Sequence, residues 1–151
     1  MRKSAVLLLM PLALASGQTS TASAARREAI LNYQLTLPRA NQLITAMTAM
    51  TRYVVSLPDA RERIARSMKM TPAEQLAQVE KDPKAMAILT DNNLTTREYI
   101  VGVPALRMAL LAAQGMASDS IIVSPGNVAF AKANLAQLKP KMDAADHGAG
   151  R

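Results

Sequence analysis

The stretch TTREYIVGVPALRMALLAA, residues 95–113, decides the fold of this chain. Thr95 and Glu98 open it with the T-x-x-E spacing of a capping box, in which each side chain binds the other residue's backbone N–H at a helix start. Leu, Ile, Val and Ala then occupy nearly every face of the expected helix, which is typical of a buried central helix. Gly115 is expected to end it.

Short helices are predicted on both sides of the central helix, because proline follows a capping residue at several points. Proline suits the first turn of a helix, where its missing N–H costs no hydrogen bond. Apolar side chains at spacings of three and four then give each helix one buried face. The expected starting residues are Pro38, Asp59, Thr71, Asp82, Thr95 and Asn127. Pro140 is expected to end the last helix, so the pattern predicts an all-α, compact bundle of five or six short helices.

The composition suits a helical bundle held together by packing alone. Half of the 151 residues are apolar but only 3% are aromatic, so Ala, Leu, Ile, Val and ten Met must build the core. The absence of Cys excludes disulfides, thiolate metal sites and a cysteine nucleophile. The net charge is +7, and its densest basic group, interpreted as a solvated helix face, is Arg61, Arg63, Arg66 and Lys69.

The N-terminus has the three parts of an export signal. Residues 2–3 form a short positive region, and residues 5–15 form an apolar run that is too short to span a bilayer. Small residues follow, and residues 22–24 (ASA) provide the small-x-small site that signal peptidase needs. We expect cleavage after Ala24, with Ala15 as the alternative, and a periplasmic or secreted mature chain without a transmembrane segment.

Four segments are expected along the chain. The signal peptide takes residues 1–24, and an arm without sustained periodicity follows at residues 25–37 and ends before Pro38. The helical domain takes residues 38–140. Residues 141–151 are short, polar and rich in small residues, so they are expected to form a disordered tail.

Arg107 is the single charge inside the apolar central helix and is therefore a candidate binding residue. Its guanidinium either reaches the surface along its aliphatic stem or binds a carboxylate such as Asp91, or a ligand anion. Tyr99 and Val103 precede it on the same helix. We expect an apolar groove at these four residues for a protein partner or a small apolar or anionic ligand, while structural pairing of Arg107 and core packing of Tyr99 are the alternatives.

Few residues offer catalytic chemistry. His147 is the only histidine and lies in the expected tail, which removes most hydrolytic and zinc chemistry. Asp91 and Glu98 flank one loop and form the nearest carboxylate pair, although Glu98 is better explained as a cap. The sequence has no Gly-rich phosphate loop and no basic-aromatic platform, so we expect no cofactor and no nucleic acid partner.

The methionines raise the question of copper, because thioethers are suitable ligands for Cu(I). The candidate ligands are Met47, Met50, Met68 and Met70. Met47 and Met50 lie on the apolar face of the expected first helix, where an unbranched side chain fills irregular space. Packing is therefore the favoured interpretation, and no metal site is expected.

Two short patterns resemble those of exported proteins. T-T-R-E-Y-I at residues 95–100 and N-V-A-F at residues 127–130 resemble a pattern in small exported bacterial helical proteins of uncharacterised function. That resemblance implies export and a helical fold, and it supplies no catalytic residue. M-T-P-A-E-Q at residues 70–75 resembles the L-T-x-x-Q element of Spy and CpxP-type periplasmic chaperones, with Met for Leu and Gln75 one position late.

These observations favour an exported small helical binding or accessory protein without catalytic machinery of its own. One alternative is a periplasmic stress chaperone-like protein that uses the basic helix at residues 61–69 and methionine-rich surfaces, which adapt to varied clients. Another alternative is an enzyme with an unfamiliar site made of a carboxylate, a Tyr and an Arg.

Overall fold

The computed structural model describes residues 15–116 and 118–147, with side chains from residue 23 onward. These described residues form seven α-helices and no strand, so the all-α class is confirmed. The helices are α1 Ala15–Asn32, α2 Leu37–Ser56, α3 Ala60–Ser67, α4 Pro72–Glu80, α5 Pro83–Asp91, α6 Thr96–Ala113 and α7 Pro125–His147. The expected count of five or six was too low because α1 precedes the six helices that the sequence indicated.

Five helices start at a side chain that accepts hydrogen bonds from N–H groups of the first turn. These capping residues are Thr36 for α2, Thr71 for α4, Asp82 for α5, Thr95 for α6 and Ser124 for α7. Both predicted capping boxes are complete, since Glu74 and Glu98 accept hydrogen bonds from the backbone N–H of their N-cap threonines. These starts were predictable because a cap depends on residues only three positions apart.

α3 starts after Asp59 as predicted, but the Asp59 side chain does not cap it. Both carboxylate oxygens accept a hydrogen bond from Arg63 Nε, at 2.9 Å each. An arginine one turn into the helix competes for the oxygens that would otherwise bind the first-turn N–H groups.

α6 is the central helix, as its apolar composition predicted. It packs against α1, α2, α4, α5 and α7, and its Leu106 and Ala109 are fully buried. Leu43 of α2, Leu89 of α5 and Leu138 of α7 are the other large, fully buried side chains among the described residues. The core is therefore aliphatic, as the scarcity of aromatic residues requires.

Gly102 allows other segments to approach α6 closely. A Cβ at this position would lie 2.9 Å from both Leu43 Cδ atoms and 2.9 Å from Tyr33 Cζ. Tyr33 belongs to the linker between α1 and α2, and its hydroxyl oxygen is the one buried side-chain polar atom without a hydrogen-bond partner in the described part of the chain. The close contact thus seats the linker against the central helix.

The buried amide of Asn127 joins α7 to the same linker. Its Oδ1 accepts a hydrogen bond from Leu35 N at 3.1 Å, and its Nδ2 donates to the Tyr33 carbonyl oxygen at 2.7 Å. Asn127 was expected to cap α7, but Ser124 does so: its Oγ accepts a hydrogen bond from Asn127 N at 3.3 Å, and α7 begins at Pro125. One side chain therefore satisfies two backbone groups that no helix satisfies.

α7 also continues past Pro140, where the sequence predicted its end. A proline inside a helix removes a hydrogen bond and costs about 3 kcal/mol. Met142 and Ala145 are buried beyond it, and their burial offsets that cost. Residues 141–147 are consequently helical where a disordered tail was expected, and residues 148–151 lie outside the described residues.

α1 crosses residue 24, after which the sequence predicts cleavage, and it packs against α6. Ile30, on the far side of that point, is buried. The arm expected at residues 25–37 is helical up to Asn32. Residues 1–14, which contain the predicted positive region and most of the apolar run, lie outside the described residues.

Candidate functional site

Tyr99 and Val103 of the predicted groove pack against the hydrophobic core. Burial raises the pKa of Tyr99 to about 12, against a smaller opposing effect of the Arg107 charge. The phenol therefore stays neutral at physiological pH. Both side chains help to hold α6 against its neighbours and leave Arg107 as the exposed member of the predicted groove.

Arg107 binds Asp146 of α7, whereas the sequence suggested Asp91 as its carboxylate. Its Nη2 lies 2.5 Å from Asp146 Oδ1 and 3.3 Å from Met47 Sδ, and it donates to both. A cavity of about 160 Å³ lies beside this pair between α6 and α7. An incoming anion would have to displace Asp146, because the guanidinium already has a carboxylate.

The predicted carboxylate pair of Asp91 and Glu98 does not form a proton-transfer site. Asp91 ends α5, is exposed, and takes part in none of the ion pairs of the described residues. Glu98 caps α6 and lies 3.3 Å from Arg39 Nη2. The hydrogen bond from Thr95 N lowers the pKa of Glu98, which makes it a weak acid donor at neutral pH.

The four methionines considered as copper ligands occupy different environments. Met47 is buried against the Arg107 guanidinium, whose charge disfavours a second cation there. Met50 is partly buried and packs against the hydrophobic core. Met68 is 81% exposed, and Met70 is partly buried. Within residues 15–116 and 118–147 no three His, Asp or Glu side chains are grouped to hold a metal either.

A cleft between α2, α3, α4 and α5, here called the α2–α5 cleft, is the second candidate site. Its volume is about 150 Å³. The apolar wall residues are Met50, Val54, Leu57, Ile64, Val79 and Ala85, and the polar ones are Tyr53, Arg63, Ser67, Gln78 and Asp82. Neither α3 nor α4 contains a buried residue, so surface helices alone close the cleft on that side.

Among the polar residues of this cleft, Tyr53 and Asp82 form a hydrogen-bonded pair. Tyr53 Oη donates to Asp82 Oδ2 at 2.8 Å and so joins α2 to the start of α5. Burial alone would raise the pKa of Asp82, but hydrogen bonds from Tyr53 and from the Ala85 and Lys84 N–H groups together lower it. The same hydrogen bond to Asp82 raises the pKa of Tyr53. At neutral pH the pair is therefore fixed as a carboxylate and a neutral phenol.

Exposed apolar side chains extend the cleft onto the surface. Ile64 is 44% exposed, Met68 81% and Val55 42%. Ile64 lines the cleft and Met68 follows it by one helical turn at the end of α3, so these two are exposed together. Val55 lies on the side of α2 away from the residues that line the cleft. Apolar side chains exposed together mark interaction surfaces more often than isolated ones do.

Sequence reasoning missed the α2–α5 cleft because four helices supply its walls. The available signal was the four-residue spacing of Ile64 and Met68 in a helix whose other residues are mostly charged. By the general rule for apolar side chains at spacings of three and four, this pattern predicts a buried face. In the structure the face is exposed, because α3 packs mainly on α2 at the edge of the bundle.

A wider hollow of about 560 Å³ lies between α1 and α6. Its lining is mixed in charge, with Glu28, Arg97 and Glu98 among its residues. Ala25 also lines it and directly follows the predicted cleavage point, so these lining residues would remain in a chain cleaved after Ala24.

Comparison with known proteins assigns no family to this chain. No family model matches it, no curated protein matches it, and no solved structure matches it. Within the described residues, no helix combines the length and the apolar character needed to cross a membrane. The function must therefore be argued from the two candidate sites themselves.

Proposed function

We propose that this chain is an exported binding protein that holds an apolar side chain of a protein partner in the α2–α5 cleft. One observation carries the proposal: the cleft is bordered by exposed Ile64 and Met68, on a helix that buries no residue. Covering apolar surface gains about 25 cal/mol per Å² removed from water. A partner lying over α3 would therefore be held mainly by the burial of these side chains.

The size of the cleft favours one side chain of a larger partner over a free small molecule. Pockets for drug-sized ligands usually enclose about 300–1,000 Å³. The α2–α5 cleft encloses about 150 Å³, which is too little to surround such a ligand. The exposed residues around it extend the contact area, as expected for a protein interface with a central anchor.

The polar groups of the cleft support binding and not catalysis, although they include a carboxylate, a Tyr and an Arg. Asp82 and Tyr53 are hydrogen-bonded to each other, and their pKa values move away from neutrality in opposite directions. Arg63 is bound to Asp59. A general acid or base needs a pKa near the working pH, which neither Asp82 nor Tyr53 has.

The same surface also favours the chaperone alternative, because Met68 is 81% exposed and methionine surfaces adapt to varied partners. The two functions differ in selectivity. A chaperone would suppress the aggregation of several unrelated unfolded proteins, whereas a dedicated binding protein would suppress none.

Export is part of the proposal and is supported by residues 1–24 of the sequence. The mass of the protein purified from its own cell envelope tests it. A chain beginning at Ala25 supports export with cleavage after Ala24. A full-length chain beginning at Met1 contradicts it.

Binding of 1-anilinonaphthalene-8-sulfonate tests the site, because this probe is apolar and fluoresces on leaving water. We expect saturable binding in which the probe lies over the exposed Ile64 and Met68 and is not enclosed by the cleft. Ile64→Asp should greatly weaken this binding, since replacing the apolar side chain with a carboxylate removes apolar contact and repels the sulfonate. Ile64 is 44% exposed, so the substitution should leave the fold intact.

Leu111→Asp is the matched control, because Leu111 is 38% exposed and lines the cavity beside Arg107. If Leu111→Asp removes the fluorescence and Ile64→Asp does not, the binding site is the cavity beside Arg107 between α6 and α7. Equal binding by both variants and the parent chain would contradict a site at either place.

A further inference from the structure

We infer that the partner docks an acidic amphipathic helix along α3, with its apolar side chains on Ile64 and Met68 and its carboxylates on the neighbouring basic residues. This inference rests on the proposed function and names the class of partner. Helices that dock in apolar grooves commonly do so through anchors spaced three and four residues apart.

The first support is an excess of positive charge on and beside α3. Residues 52–69 contain five basic and two acidic side chains, and the adjacent cleft adds one carboxylate, Asp82, which already accepts hydrogen bonds from Tyr53 and from two N–H groups of α5. One of the two acidic side chains, Asp59, is already bound to Arg63. The remaining basic residues are exposed and form no ion pair within the described residues: Arg52, Arg61, Arg66 and Lys69.

The second support is the helical register of these side chains. Arg61, Ile64 and Met68 follow one another at steps of three and four, and such residues share a face of a helix. Met68 still has helical backbone angles, with φ −64° and ψ −23°, so this stripe runs to the end of α3.

The two exposed apolar side chains of α3 therefore share one stripe with the basic side chain of Arg61, and Lys69 follows Met68 directly. An acidic amphipathic helix offers the complementary arrangement, with apolar residues along one face and carboxylates beside them. Complementary charge at the edge of an interface speeds association and selects among partners more than it adds affinity. The apolar anchor would then enter the α2–α5 cleft.

A second copy of this chain is a poor occupant because it brings the same positive charge, +7 in full and +5 after cleavage has removed Arg2 and Lys3. An anionic membrane would satisfy the charges, but a flat surface does not fill a concave cleft of about 150 Å³. A partner helix satisfies both the charge and the shape.

Two synthetic amphipathic helical peptides test this inference by fluorescence anisotropy with the full chain. Both carry leucines at steps of three and four, and one has Glu where the other has Lys. We expect the Glu peptide to bind roughly tenfold or more tightly than the Lys peptide, and its affinity to fall as salt rises from about 50 to 500 mM.

The double variant Arg61→Glu and Lys69→Glu should weaken binding of the Glu peptide by roughly tenfold. Its matched control is Arg97→Glu with Lys132→Glu, which makes the same change in net charge at exposed residues of α6 and α7, away from the residues that line the cleft. The control should lose clearly less affinity than the double variant.

Three results would overturn the inference: equal binding of both peptides, equal effects of the two double variants, or Ile64-dependent binding to anionic phospholipid vesicles without binding of the Glu peptide. If any of these results is found while the parent chain still binds anilinonaphthalene sulfonate and Ile64→Asp does not, the proposed function stands without the inference. If the parent chain does not bind the probe either, the proposed function and the inference are both contradicted.

Discussion

Replacing Asn127 with Ala should destabilise the fold strongly, because its buried amide satisfies two backbone groups of the α1–α2 linker. The amide accepts from Leu35 N and donates to the Tyr33 carbonyl. A buried polar group that loses its partner costs about 1–3 kcal/mol, so losing both partners should lower the free energy of unfolding by about 2–4 kcal/mol. Urea unfolding followed by circular dichroism measures this change.

Asn134→Ala is the matched control on the same helix. The Asn134 side chain donates only to Phe130 O, four residues earlier in α7. Its loss should cost less than about 1 kcal/mol. Hydrogen exchange adds a local test, because the Leu35 amide should lose protection in Asn127→Ala alone. A loss below about 1 kcal/mol with the Leu35 amide still protected would refute the proposed role of Asn127.

Three further predictions concern single side chains. Tyr33→Phe should keep or slightly raise the thermal stability, because its buried hydroxyl has no partner. Arg107→Met should change the free energy of unfolding by less than about 1 kcal/mol in urea, since its pair with Asp146 is partly exposed. The lowered pKa of Glu98 stabilises the fold above its unfolded pKa of about 4.3, and this contribution is lost as pH falls through the lower folded value. Unfolding measured against pH should show a shallower acid loss for Glu98→Gln.

The helix starts could be predicted because their signals are local. Thr71 with Glu74 and Thr95 with Glu98 are three residues apart, and proline marks the first turn regardless of the rest of the chain. The end of α7 could not be predicted in this way. Pro140 predicts a stop by local rules, and burial of residues beyond it overrides that signal.

The candidate site was predicted less well because its residues meet only through tertiary packing. Arg107 was singled out correctly as an exposed charge in an apolar helix, but its partner Asp146 lies 39 residues away on α7. Likewise, the Tyr53 hydroxyl meets Asp82 across 29 residues. No spacing rule in one sequence indicates such pairs. The exposed apolar stripe of α3 is visible in the sequence, but the spacing rule predicts that such a stripe is buried.

The most direct test of binding in the α2–α5 cleft is an NMR titration of the protein labelled with ¹³C at its methionine methyl groups. Anilinonaphthalene sulfonate should shift the signals of Met50 and Met68, which line and border the cleft. The signals of Met116, in the loop after α6, and of Met142, beside Arg107, should stay in place. Shifts confined to Met142 would contradict the α2–α5 cleft and move the binding site to the Arg107 cavity.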